Sequence, residues 1–77
     1  MNLFQQIHLL QQIHFHIQHK STGNPREFAR RLQLSERSLY RVLEELKDMG
    51  VKIEYNRTRS SYVYIGEETI MWLLNIA

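Results

Sequence analysis

Only Gln33 and Leu34 separate two helix-forming patterns within residues 25–49, and so short a link forces the two helices to cross sharply. The first pattern opens at Asn24, whose side chain can accept from the free backbone N–H groups of a first turn. Pro25 stands at the first helical position and Glu27 reaches back, so a helix is expected over 25–33. Phe28, Ala29 and Leu32 share one face of it, with Arg26, Arg30 and Arg31 elsewhere on its surface. Ser35 is a second N-cap, opening a helix over 35–49. In it Leu39, Val42, Leu43, Leu46 and Met49 recur at helical spacing until Gly50, which can take the left-handed conformation that ends a helix. That apolar face is complete without Arg37, Ser38, Tyr40 and Arg41, which fall in the first two turns and point outward.

A hairpin follows. Val51-Lys52-Ile53-Glu54-Tyr55 alternates as a strand with one apolar face, residues 56–61 are polar, and Tyr62-Val63-Tyr64-Ile65 returns as a second strand, giving a hairpin over 51–65 with a loop of about six residues. Arg57, Thr58 and Arg59 have no apolar partner in this pattern and are expected at a solvent-facing tip. Tyr55, Tyr62 and Tyr64 could form a stacking platform for single strands, but aromatics are favoured strand residues, and at least two are expected to cover the core. Ahead of these elements, residues 1–20 form a helix with Leu3, Ile7, Leu10, Ile13 and Ile17 along one stripe, and Gly23 and Asn24 mark its exit. After Gly66, Glu67 and Glu68 suit a helix N-terminus, and Ile70, Met71, Trp72, Leu73, Leu74 and Ile76 make residues 67–77 almost wholly apolar. The fold expected is α+β, mostly α: a single winged helix-turn-helix domain over 1–77 with a three-helix core, a two-stranded β-hairpin wing and an extra C-terminal helix.

The run Leu34-Ser35-x-Arg37-Ser38-Leu39-x-Arg41-x-Leu43-x-x-Leu46, then Gly50-Val51-x-Ile53 and a basic hairpin closing on Tyr62, resembles the DeoR-type winged helix-turn-helix domains of bacterial transcription regulators. It resembles equally the N-terminal domains that precede WYL ligand-sensing modules. The resemblance spans roughly residues 5 to 65 and is most specific from Ser35 to Leu46. It implies that Arg37, Ser38 and Arg41 face DNA and that the hairpin is the wing. Those regulators continue into a large sensor domain, whereas this sequence stops at Ala77, so no small-molecule ligand is expected.

The formal net charge is only +2, but its placement is uneven. Residues 1–19 carry no Asp, Glu, Lys or Arg, whereas residues 20–41 hold Lys20, Arg26, Arg30, Arg31, Arg37 and Arg41 against Glu27 and Glu36 alone. Positive charge therefore gathers on the surface that a helix-turn-helix presents to phosphates, with Arg57 and Arg59 added at the hairpin tip. A solvated amphipathic surface would account for the charge alone. The motif favours DNA.

A chain of 77 residues buries only a modest core, and the absence of cysteine excludes disulfides, thiolate zinc sites and a cysteine nucleophile. With no secretory pattern and no apolar run of about 20 residues, a bacterial cytoplasmic, nucleoid-associated protein is expected. His8, His14, His16 and His19 lie within a dozen residues, but no carboxylate shares their helix, so no metal and no cofactor is expected. Nor is an enzyme: Ser35 and Ser38 are explained as cap and groove-facing residue, and no glycine-rich phosphate loop occurs.

Phe4, His8, Phe15 and His19 form a second apolar side of the first helix. A homodimer would hide this side together with the last helix through Phe4, His8, Phe15, Ile70, Met71, Trp72 and Leu74, and would set two recognition helices on one duplex. Folding of the last helix back onto its own domain, or its continuation as a linker, are the alternatives. The expected function is sequence-specific binding of double-stranded DNA in transcription regulation. Arg37, Ser38, Tyr40 and Arg41 are expected on bases, and Arg26, Arg30, Arg31, Ser35, Arg57, Thr58 and Arg59 on phosphates. The alternative is a protein-interaction module that docks its partner on the C-terminal helix.

Overall fold

In all three helices of the computed structural model, which describes residues 2–66, the side chain before the first turn accepts a hydrogen bond from the backbone N–H three residues on. Asn2 caps α1 (Leu3–Gln18), Asn24 caps α2 (Pro25–Arg31) and Ser35 caps α3 (Glu36–Asp48); the first two caps are reciprocated by Gln5 and Glu27. The three helices also end alike. The residue after each C-cap is left-handed, at Lys20, Gln33 and Gly50, and the pairs Lys20 N–H to Ile17 O with Ser21 N–H to His16 O, Gln33 N–H to Arg30 O with Leu34 N–H to Ala29 O, and Gly50 N–H to Lys47 O with Val51 N–H to Leu46 O close the last carbonyls. Glycine was the expected sign of such an ending, and only α3 uses it. α1 stops two residues short of the expected boundary because Lys20 turns the chain, while Gly23, at φ +74°, lies against the next cap, where a Cβ would come within 2.9 Å of Glu27.

The strands β1 (Ile53–Asn56) and β2 (Ser61–Tyr64) pair antiparallel, with Ile53 opposite Tyr64, Glu54 opposite Val63, Tyr55 opposite Tyr62 and Asn56 opposite Ser61. The connection is the turn Arg57–Ser60, shorter than the polar stretch suggested. Asn56 Oδ1 accepts from Arg59 N–H at 3.1 Å, and Asn56 and Ser61 themselves join the ladder. The element order and the hairpin make this a winged helix-turn-helix, α+β and mostly α. The C-terminal helix expected over 67–77, with Ile70, Met71, Trp72 and Leu74, lies outside the described residues.

The core joins Leu9, Ile13 and Ile17 of α1, Phe28 and Ala29 of α2 with Leu32 after it, Leu39, Leu43 and Leu46 of α3, and Val51, Ile53 and Tyr62 of the hairpin region. Two expectations differ here. Leu9 replaces Leu3 and Ile7 in the buried stripe of α1: Leu3 is 66 % exposed and Ile7 half-buried, because α1 packs on α2 and β2 through the side centred near Ile13. Met49, at the C-cap of α3, is 59 % exposed. Among the tyrosines, Tyr62 is buried, and Tyr55 and Tyr64 pack against the core from the hairpin.

A buried polar clasp ties the α1–α2 connection to β2. Thr22 and Ser61 are both inaccessible. Tyr62 N–H donates to Thr22 Oγ1 at 2.8 Å, Thr22 N–H donates to Ser61 Oγ at 3.2 Å, and the hydroxyls of Thr22 and Ser61 donate in turn to the carbonyls of Gly23 and Tyr62 at 2.8 and 2.9 Å. Both hydroxyls of the pair thereby donate and accept within the clasp. Thr22→Val keeps the shape but strands the Tyr62 N–H, and is expected to lower unfolding free energy in urea by about 1–3 kcal/mol. A loss within error of zero would show that the clasp adds nothing to stability.

Candidate nucleic-acid interface

Ser35 both caps α3 and orders its first turn: its Oγ accepts from Ser38 N–H at 3.1 Å and donates to Ser38 Oγ at 3.0 Å. Ser38 is consequently half-buried beside the cap, with one hydroxyl proton left to donate. Arg37 and Arg41, one helical turn apart, are exposed on the side of α3 away from Leu39, Leu43 and Leu46. Further along that side come Glu44 and Asp48, Glu44 lying 3.7 Å from Lys47. Along the row Arg37, Arg41, Glu44 and Asp48 the two cations therefore precede the two carboxylates, with Glu36 and Lys47 exposed beside it. The positive end of the helix macrodipole coincides with the cationic half, so an anionic surface is attracted to the N-terminal two turns and repelled from the last.

Tyr40, in the first half of α3, is 48 % exposed. Tyr62 makes an edge-on contact with Tyr55 across the strands, ring centres 5.1 Å apart. Burial, with the phenols of Tyr40 and Tyr55 adding, pushes the Tyr62 hydroxyl up to about 12. The Tyr62 phenol thus stays neutral at physiological pH. This grouping was not visible in the sequence, where Tyr40 is separated from the hairpin tyrosines by more than a dozen residues.

Arg26 and Arg30 are exposed on α2, and Arg57, Thr58 and Arg59 are exposed at the hairpin turn, so these five of the seven expected phosphate-contacting side chains face solvent, as does the cap Ser35. Arg31 differs, because one of its guanidinium nitrogens donates to the Ser21 carbonyl at 3.1 Å, across the helix pair. Among the described residues, Arg37, Arg41, Arg57 and Arg59 pair with no carboxylate. Their charge is therefore available to a ligand. Phe4, His8 and Phe15 stand exposed on α1, on the side opposite the core.

The histidines divide by environment. His14 Nδ1 is 2.9 Å from the Tyr64 hydroxyl, and His16 lies edge-on to Phe28, its Nδ1 buried with no hydrogen-bond partner among the described residues. Burial first, then His19, lowers the pKa of His14; burial, then Arg31 and His19, lowers that of His16, both from the ordinary 6.5. A lowered folded-state value means that the unfolded chain binds these protons more readily. The stability that neutral His14 and His16 contribute is present above pH about 6.5 and is lost as pH falls through their folded values. The melting temperature is accordingly expected to drop between pH 7 and pH 5, and to drop less in His16→Leu; an identical drop in both proteins would assign the effect elsewhere.

Among the described residues no group of three or more His, Cys, Asp or Glu is placed to hold a metal ion. No helix there is long and apolar enough to cross a membrane. An open cleft of about 500 Å³, which the sequence did not announce, runs between α1 and the α2–α3 turn, lined by Gln5, His8, Leu9, Gln12 and residues 31–34.

The family model described as an HTH domain matches residues 8–63, well over half of the chain and all of α2, α3 and the hairpin turn. The chain belongs to the helix-turn-helix domain family. It is a helix-turn-helix DNA-binding domain, and the exposed N-terminal half of α3 and the hairpin tip described above both fall within the matched residues. No curated protein and no solved structure matches the helix-turn-helix chain.

Proposed function

We propose that the protein is a sequence-specific, double-stranded-DNA-binding regulator of transcription that works as a homodimer by steric or architectural means, without catalysis. The observation that carries this reading is the pair Arg37 and Arg41, exposed one turn apart on the cationic half of α3 and free of carboxylate partners among the described residues. In a major groove these side chains reach base edges, guanine O6 and N7 being the commonest arginine target, with Ser38 and Tyr40 on neighbouring bases. Arg26, Arg30, Ser35, Arg57, Thr58 and Arg59 contact phosphates and set the orientation, and Arg31 joins them by leaving its Ser21 carbonyl. The resemblance of Ser35 to Leu46 to DeoR-type and WYL-associated domains supports a bacterial, cytoplasmic regulator associated with the nucleoid. The whole chain acts as one domain, residues 67–77 adding to the dimer surface through Ile70, Met71, Trp72 and Leu74.

The test is retention of a randomised duplex pool by the purified protein at two salt concentrations, with the retained sequences read out. An enriched inverted repeat is expected. Log affinity is expected to fall against log salt with a slope of about −0.9 per phosphate neutralised. No retention at low salt would overturn the reading in favour of a protein-interaction module.

A further inference from the structure

We infer that Thr22 and Ser61 are positioning residues for the wing: their buried clasp sets where Arg57 and Arg59 stand relative to the cationic helix pair, and so how many phosphates the protein neutralises. The inference rests on the reading of Arg57 and Arg59 as phosphate contacts and supplies what holds them in reach. α3 packs mainly on α2, whereas β2, outside its own hairpin, packs mainly on α1. The arginines of α2 and α3 and those of the hairpin turn are therefore carried by different parts of the domain.

The clasp joins those parts close to the charges on both sides. Thr22 lies two residues before the Asn24 cap, and Arg26 is in the first turn that Asn24 opens. Ser61 is the first residue after the Arg57–Ser60 turn. Tyr62 N–H donates out of the hairpin to Thr22 Oγ1 at 2.8 Å, and Thr22 N–H returns to Ser61 Oγ at 3.2 Å. Thr22 Oγ1 itself donates to the Gly23 carbonyl at 2.8 Å, so one atom is tied both to β2 and to the chain entering α2.

The remaining ties of β2 hold it in a different way. The Tyr62 ring lies 5.7 Å from that of Phe28, and the Tyr64 hydroxyl lies 2.9 Å from His14 Nδ1 at the far end of the strand. Apolar packing sets how deep a strand sits but is not directional, whereas hydrogen bonds fix both distance and angle. The His14 contact is further along the chain from the turn than Ser61 is. Without the clasp the hairpin pivots about its Tyr64 end, and the tip moves most. A two-stranded hairpin has little stability of its own to resist this. A charge-assisted contact with phosphate needs the guanidinium at hydrogen-bonding distance, so displacement of the tip costs Arg57 and Arg59 their phosphates while the base-facing side chains of α3 keep their places.

The test is duplex affinity against salt for the unchanged chain, Thr22→Val, Thr22→Ser and Ser61→Ala. Each is measured with and without Arg57→Ala and Arg59→Ala together, at a temperature where circular dichroism shows every chain folded. In the unchanged chain, removal of both arginines is expected to make the slope of log affinity against log salt shallower by about two. Thr22→Val is expected to give most of that change alone, and removal of the arginines in its background to add less than about half a unit. Ser61→Ala, which removes the acceptor of the Thr22 N–H, is expected to act in the same direction. Thr22→Ser keeps the hydroxyl and is expected to restore the full arginine effect. A smaller folded fraction lowers affinity by the same factor at each salt concentration, so a merely structural role leaves the slope alone. The full arginine effect persisting in Thr22→Val and Ser61→Ala would overturn the inference, and so would a Thr22→Ser chain as impaired as Thr22→Val, since packing and not the hydroxyl would then be responsible. If instead the unchanged chain binds duplex with a slope that ignores the loss of both arginines, the phosphate reading of the turn fails first.

Discussion

Phe28→Ala is expected to lower the unfolding free energy by about 3–5 kcal/mol and to leave the chain largely unfolded in mild denaturant. Phe28 is wholly inaccessible and sits where three elements converge: its ring stands edge-on to His16 of α1, 6.0 Å between centres, and lies 5.7 Å from Tyr62 of β2. Truncation therefore removes contacts to α1 and the hairpin together, and neither can move in to refill the space without giving up the Thr22–Ser61 clasp that fixes their separation. A small domain has little in reserve, about 0.05–0.15 kcal/mol per residue. Phe4→Ala is the matched control, since Phe4 belongs to the exposed side of α1; its expected change is within about 0.5 kcal/mol. A loss below 1 kcal/mol for Phe28→Ala, or equal losses for the two variants, would mean that the core is not organised around this ring.

The contrast between these phenylalanines also marks where the sequence was informative. α2 and α3 were legible because each carries a cap, a charged outer surface and one apolar stripe, so the inward side has no competitor: Phe28, Ala29 and Leu32, and then Leu39, Leu43 and Leu46, are buried as the spacing demands. α1 has two apolar stripes and no charged residue to mark the solvent side. The spacing therefore favours the stripe through Leu3, Ile7, Leu10, Ile13 and Ile17, which lies too far toward the N-terminal end, and packing against β2 brings Leu9 into the core instead. The Thr22–Ser61 clasp was illegible for another reason. Its partners are 39 residues apart, and Thr22 and Ser61 individually look like ordinary loop polar residues. In the candidate interface, the arginines could be read from α3 alone because they are defined by exclusion from its apolar stripe. The influence of Tyr40 on the Tyr62 hydroxyl could not, since the two residues belong to different elements.

Arg41→Ala is expected to weaken binding to selected duplexes by about 10- to 100-fold while changing affinity for random duplex far less, whereas Arg57→Ala weakens both alike and lowers the salt slope by about one. Both residues are exposed and unpaired among the described residues, so neither truncation leaves a buried group unsatisfied, and folding should be unaffected within about 0.5 kcal/mol. The losses are therefore attributable to DNA. The distinction between the two follows from position. Arg41 projects one turn beyond Arg37 from a helix whose first turn is fixed by Ser35, whereas Glu44 and Asp48 continue the same row toward the C-terminus, so the N-terminal half is the part of that row that favours phosphate. Arg57 sits in the hairpin turn outside any groove-filling element, where its charge meets phosphates whatever the sequence. Measured on a selected site and a random duplex at two salt concentrations, equal losses for both variants on both DNAs would remove α3 from the role of reading bases and leave the protein a non-specific binder.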